Sequence, residues 1–145
     1  MKDIAQKAYF DTSFEERLAK VDLTAVMKHV ADDTGLPAAD LVRAEDLYRK
    51  FLSLIAKFPG TTFVPPRLVD HVWHAHITFT RQYMADCDLL FGSYLHHNPA
   101  EEGEEMAPVF ASLTVPAYQQ EYGINLMAYG MEAHYMMASD CKASA

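Results

Sequence analysis

Cysteine is scarce in this chain, bases all but vanish from its second half, and no apolar run is long enough to span a bilayer. Two cysteines, Cys87 and Cys141, cannot build a disulfide framework. Both are expected to be thiols in a reducing compartment. A spanning helix needs roughly 20 consecutive apolar residues, and none is found. The opening Met1-Lys2-Asp3-Ile4-Ala5-Gln6-Lys7 also lacks the apolar core of a secretory leader. The expected location is therefore cytoplasmic, with no membrane partner. The sequence has no internal repeat, no glycine-rich phosphate loop, no nucleophile elbow and no Cys-x-x-Cys pair.

Bases are missing from one half only. Through Gln82 the chain carries 11 basic and 11 acidic residues; from Tyr83 onward it has 9 acids and the single base Lys142, which accounts for the net charge of −8. Such a surface repels phosphate backbones and attracts cations, so nucleic acid is not an expected partner. A partner of some kind, small molecule or protein, is expected without an identity, and self-association is left open.

What the chain does have is apolar periodicity. Half of its 145 residues are hydrophobic and 12% are aromatic, enough for one folded core. Ser13-Phe14-Glu15-Glu16 has the form of a capping box that starts a helix. Leu23, Val26, Met27 and Val30 follow at helical spacing and stop at Gly35. After Pro37, Leu41, Ala44, Leu47, Tyr48, Phe51, Leu54, Ile55 and Phe58 recur at three- and four-residue steps until Pro59-Gly60. Pro65-Pro66 then opens the longest periodic stretch, with a stripe of Val69, Trp73, Ile77, Thr80, Met84, Cys87 and Phe91 closed by Gly92. Segment 98–108 reads as a solvated loop, Thr114-Val115-Pro116 as the start of a short helix through Tyr122, and Ser139 to Ala145 as a frayed end. No strand-length alternation appears. The expectation is an all-α fold, a compact bundle of about five helices around one long central helix. It comprises a single domain over 1–145, with N-terminal helices in 1–64, a His-rich region in 65–123 and a Met-rich tail in 124–145.

Five of the seven histidines lie in that middle region: His71, His74, His76, His96 and His97. Imidazole is the commonest metal ligand and titrates near neutrality, so the crowding favours metal binding or acid–base chemistry. On a regular helix Asp70 and His74 share a face, as do His71 and His74. His76 falls about 200° away from His74, so both cannot ligate one ion unless the helix is broken. An ordinary surface pair of Asp70 with His74, and a buried, hydrogen-bonded His76, are the plainer alternatives. From Phe91 an extended return of six residues reaches roughly 20 Å. His74 lies about 25 Å and His76 about 22 Å back along a straight helix. This arithmetic favours His97 meeting His76 over His97 meeting Asp70. Cys87 is either a thiolate donor or a small core residue. Asp11, Asp32 and Asp33 read as caps or solvated faces. The run Met127-Ala128-Tyr129-Gly130-Met131-Glu132-Ala133-His134-Tyr135-Met136-Met137 suits Cu(I) or, more simply, an adaptable packing strip.

Asp70-x-x-Trp73-His74-x-His76, then Thr80-x-x-Tyr83-x-x-x-Cys87, Gly92 and His97-x-Pro99, resembles the glycine-rich domain-containing protein-like family, known from plants, fungi and bacteria. Thr114 and Tyr122-Gly123 look like that family's later helix, so the resemblance covers about 66–123. It implies that Asp70, His74, His76 and His97 are the positions to watch; His71, His96 and the methionine tail lie outside the pattern. The developmental and stress roles of the larger plant members do not carry over, because this chain has only 6 glycines and no glycine-rich segment. The leading expectation is a small metal-binding protein, acting as a metal-dependent enzyme. Asp70, His74, His76 and His97 would hold zinc or iron, copper being less favoured, with Tyr83 and Thr80 as proton donors. The alternatives are a non-catalytic interaction module with structural histidines, and copper handling by the Met/His tail.

Overall fold

Local punctuation explains where the first helices begin and end. The structure, a computed structural model, describes residues 13–128 and 133–145. Asp11 and the Tyr129–Glu132 part of the methionine run lie outside the described residues. The Ser13 hydroxyl accepts the Glu16 amide at 3.2 Å and opens α1 (Phe14–Leu18). The Asp22 carboxylate accepts the Thr24 amide and hydroxyl at the start of α2 (Thr24–Thr34). Gly35 ends α2 at φ 68°, a left-handed conformation that costs glycine nothing. After Pro37, α3 (Ala38–Lys57) is the longest described helix, and it buries Ala44, Leu47, Tyr48, Phe51, Leu52, Leu54 and Ile55.

The stretch expected to form one helix from Pro66 to Phe91 is two. α4 (Arg67–Thr78) stops at Phe79, and α5 (Thr80–Phe91) restarts immediately. At the break Phe79 adopts φ −81°, ψ 69°, and its amide reaches His76 O at 3.1 Å, a tighter turn than the helical bond to Ala75. The Thr78 hydroxyl donates back to His74 O at 2.9 Å, the kind of side-chain bond that bends helix ends. Neither proline nor glycine marks the spot, so the spacing in the sequence does not show it; beyond the break Thr80 and Met84, expected in the buried stripe, are exposed, and Tyr83, Cys87 and Leu90 are buried. α5 packs back on α4 and ends at Gly92, again left-handed with φ 70°.

The C-terminal third differs from expectation in two places. Helix begins at α6 (Ala107–Val109), not at Thr114, and reaches α7 (Val115–Tyr122) through a wide turn at Phe110–Thr114 with π-type bonding. Pro116 has no amide to give Ser112 and would crowd that carbonyl in a regular helix, and the wider turn makes room. Thr114 is buried there, donating to Val64 O at 2.7 Å and accepting from the Val64 amide at 3.2 Å. The end of the chain is docked rather than frayed. β2 (Cys141–Lys142) pairs antiparallel with β1 (Asn98–Pro99). On its other side the same segment bonds to the 60–67 link: Ala143 and Phe63 exchange two bonds at 2.8 and 2.9 Å, Ser139 N–H reaches Pro65 O, and Arg67 N–H reaches Met137 O. Ser139, Cys141 and Ala143 are buried in this strap.

The core lies where α3 and α4 pack, with α2 against both of them. Trp73, Tyr48, Tyr83, Tyr118 and Phe51 are its largest fully buried side chains. Their polar atoms are satisfied as burial demands: Tyr118 donates to Leu47 O, Trp73 Nε1 to the Tyr83 hydroxyl at 2.8 Å, and that hydroxyl to Leu95 O at 2.6 Å. Among the described residues no helix is long and apolar enough to cross a membrane.

A carboxylate, two imidazoles and a thiol in one place

Three segments far apart in sequence meet beside Trp73. α4 contributes Asp70 and His74, one turn apart on one face. The chain leaving Gly92 returns along α5 and brings His97 to β1. The C-terminal strap adds Cys141, whose β2 position pairs with Pro99. Asp70 is the centre. Its Oδ1 lies 3.0 Å from His97 Nε2 and its Oδ2 lies 3.1 Å from His74 Nε2. The two imidazoles stand edge to face at 4.2 Å between centroids, and His97 also lies 4.3 Å from the Trp73 ring. One donor atom from each of Asp70, His74, His97 and Cys141 lies within 4.8 Å of the other three, so the group can hold a metal ion.

The four donors differ in exposure. The Asp70 and His97 side chains are 16% and 15% exposed, whereas His74 is 59% exposed, so the group has a closed side and an open one. The open side meets a groove of about 360 Å³ between α2 and α4, lined by His29, Asp33, Asp70, His71 and His74. Burial, followed by the negative charges of Asp70 and Asp140, pushes the Cys141 thiol up to about 12. Alone it stays protonated at neutral pH; a divalent cation among these donors would reverse that balance.

His76 is not part of this group. It projects from the opposite face of α4, as 100° per residue requires, and it is 1% exposed. Tyr48 OH lies 2.7 Å from its Nδ1 and Asp86 Oδ2 lies 2.8 Å from its Nε2. The neutral tautomer that satisfies both donates Nε2–H to Asp86 and accepts the Tyr48 hydroxyl at Nδ1. Gln82 also donates to Asp86, at 3.2 Å. Burial holds Tyr48 well above the usual phenol range, so it stays a donor.

The expected meeting of His97 with His76 is therefore replaced by one with Asp70 and His74. A straight helix over 66–91 would put Asp70 beyond an extended return from Phe91; the break at Phe79 folds α5 back on α4 and shortens the return. Tyr83 lies in the core, committed to Trp73 and Leu95 and pushed far up by burial. Thr80 is exposed at the first position of α5. Neither belongs to the four-donor group. Cys87 is a buried thiol beside Tyr83 and Leu95, raised by burial. His71 lies edge-on to Tyr135 at 5.9 Å, and His96 beside Tyr94 at 4.8 Å.

Cys141 is the donor that sequence reasoning missed. It has no neighbouring ligand at a recognisable spacing, and only the strap's pairing brings it in.

A family model described as UCP032817-like matches residues 12–108, a span that includes Asp70, His74 and His97 but not Cys141. No curated protein and no solved structure matches the chain.

Proposed function

The chain belongs to the UCP032817-like family, and we propose that it binds one divalent transition-metal ion through Asp70, His74, His97 and Cys141. The observation that carries the reading is the grouping of four donors of different chemistry from three chain segments within 4.8 Å. Zinc suits the set best. A tetrahedral zinc shell with bonds of about 2.0–2.3 Å separates its donors by roughly 3.3–3.7 Å, so a small contraction closes the site. The mixture of nitrogen, oxygen and thiolate disfavours magnesium and calcium. Iron(II) is the second choice.

Exposed His74 is the donor able to yield a position to water or substrate, which is how such a site would serve a metal-dependent enzyme. A bound ion would supply Lewis acidity there. The chain's own part is to fix Asp70 between two imidazoles, shield His97 against Trp73, and hold the thiol on the strap. The resemblance of the Trp-His-x-His segment to glycine-rich domain-containing proteins adds three of the four positions and no reaction. A cytoplasmic location belongs to this reading because a reducing compartment keeps Cys141 available.

A second reading has its own support. Asp70 already hydrogen-bonds His97 at 3.0 Å and lies 3.1 Å from His74 Nε2 as an ion-pair partner, so the cluster also works as a purely structural carboxylate–imidazole bridge in an interaction module. Copper handling by the tail has less support, since Met136 is buried while Met127 and Met137 are exposed. Elemental analysis of full-length protein purified without chelators separates these. Zinc or iron close to one ion per chain, lost in both His97→Ala and Cys141→Ser, is expected. Metal-free protein that also fails to take up cobalt(II) with a thiolate charge-transfer band would leave the structural bridge standing instead.

A further inference from the structure

Asp70 and His74 are placed by a helix, whereas His97 stands on the return after Gly92, between buried Leu95 and the short strand β1. A circuit of side-chain contacts fixes it there. Tyr83 on α5 donates its hydroxyl to Leu95 O at 2.6 Å, which pins the return two residues before His97. The same hydroxyl accepts Trp73 Nε1–H at 2.8 Å. The Trp73 ring lies 4.3 Å from the His97 ring, inclined at 63°. Three residues back on the same face of α4, Asp70 takes His97 Nε2 at 3.0 Å. The circuit thus runs from α4 to α5, on to the return and back to α4. Trp73, Tyr83 and Leu95 are all buried, so water does not replace either bond of the hydroxyl. Burial also pushes the phenol far up, so it keeps the proton that it gives to Leu95.

We propose that Tyr83 is a positioning residue for the metal site: its hydroxyl joins the indole beside His97 to the chain that carries His97, and so sets where that imidazole meets Asp70. Resting on the four-donor reading, this assignment adds a residue outside the four donors. A ligand constellation must be held within about 0.5 Å of its productive geometry by the groups behind it. Loss of an outer partner costs roughly 10–100-fold in metal affinity, and Tyr83 acts through Trp73 and Leu95, so the lower end of that range is expected. Phenylalanine at 83 keeps the packed ring and removes only the oxygen, leaving Trp73 Nε1–H without its acceptor and Leu95 O without its donor. A tyrosine with a structural role alone would lower stability without moving His97. Tyr118, equally buried and bonded to Leu47 O at 2.7 Å, supplies that comparison.

Two measurements on the full chain test this, one of them without metal. In NMR of metal-free, histidine-labelled protein at mildly alkaline pH, His97 of wild type is expected as one tautomer with its proton on Nε2, as the bond to Asp70 requires. Tyr83→Phe should move it toward a mixture of tautomers, and Tyr118→Phe should not. Cobalt(II) with a competing chelator reads the consequence. Every variant should take one ion, bound about tenfold more weakly in Tyr83→Phe and in Trp73→Phe, which breaks the circuit at its other bond, and unchanged in Tyr118→Phe. The double variant Tyr83→Phe/Trp73→Phe should bind no more weakly than the weaker single one. If Tyr83→Phe does not fold, Trp73→Phe carries the same NMR comparison. The His97 signal decides the matter. A shift no larger than in Tyr118→Phe overturns the positioning role, whatever the metal does. The expected shift in a protein whose wild type takes up no cobalt would uphold that role and end the four-donor metal reading.

Discussion

His74 and His76 are two residues apart on one helix, and they occupy opposite chemical situations. Behind α4, His76 is sealed in the core, and each ring nitrogen is spent on a protein partner, Tyr48 or Asp86. In front, His74 is largely exposed and points at a carboxylate shared with His97, beside a buried thiol. The lesson is that an imidazole's type and neighbourhood in sequence say little about its use. What matters is whether its nitrogens are saturated by fixed protein atoms or converge with other donors on a space an ion can enter.

The sharpest way to break this contrast is to remove the sealed ring. His76→Ala leaves Tyr48 and Asp86 without their partner beside a new cavity, and should cost about 3 kcal/mol of folding stability in chemical denaturation, with metal uptake per folded chain unchanged. An equal loss of metal would mean that the two faces work as one site. Next in size, Cys141→Ser should weaken zinc binding by more than about 100-fold in chelator competition, enough to lose the ion on purification, since loss of a donor exceeds the loss of an outer-shell partner. Metal-free stability should move far less. Unchanged affinity would make the thiol a bystander.

Tyr83→Phe sharpens the contrast within the core. It removes the acceptor of Trp73 Nε1 and the donor to Leu95 O, and should cost about 1–2 kcal/mol while leaving metal stoichiometry alone. The smallest effect is a pH dependence. Folding raises the Cys141 thiol from 9.0 to about 12. The folded state therefore holds this proton more tightly, and the contribution is fully present below about pH 9 and lost as pH rises toward 12. Tyr122, also raised to about 12 by burial, acts in the same direction. The readable quantity is thus the difference in metal-free stability between wild type and Cys141→Ser, which should narrow over that range. A difference that stays constant would place the thiol in solvent.

Much of this molecule is written locally. The Ser13 cap, the Gly35 and Gly92 stops and the apolar steps of 41–58 mark helices that form where they are expected, because caps and periodicity act within a turn or two. The opposite facing of His74 and His76 also follows from 100° per residue alone. The Phe79 break does not, since it rests on a Thr78 back-bond and on packing rather than on a proline or glycine. The width of the turn before Pro116 was hidden for a related reason: the proline showed that an amide was missing but not how the backbone would absorb it.

By itself, then, the sequence determined the helices, the buried stripe of α4 and the pool of imidazoles from which a site is built. The tertiary structure alone decided which donors meet. Folding back at Phe79 chose Asp70 over His76 as the partner of His97, and pairing of the strap with 60–67 and 98–100 delivered Cys141. Helical periodicity is a property of neighbouring residues, whereas convergence of side chains 27, 44 or 71 positions apart depends on the path of the whole chain, and no local pattern records it.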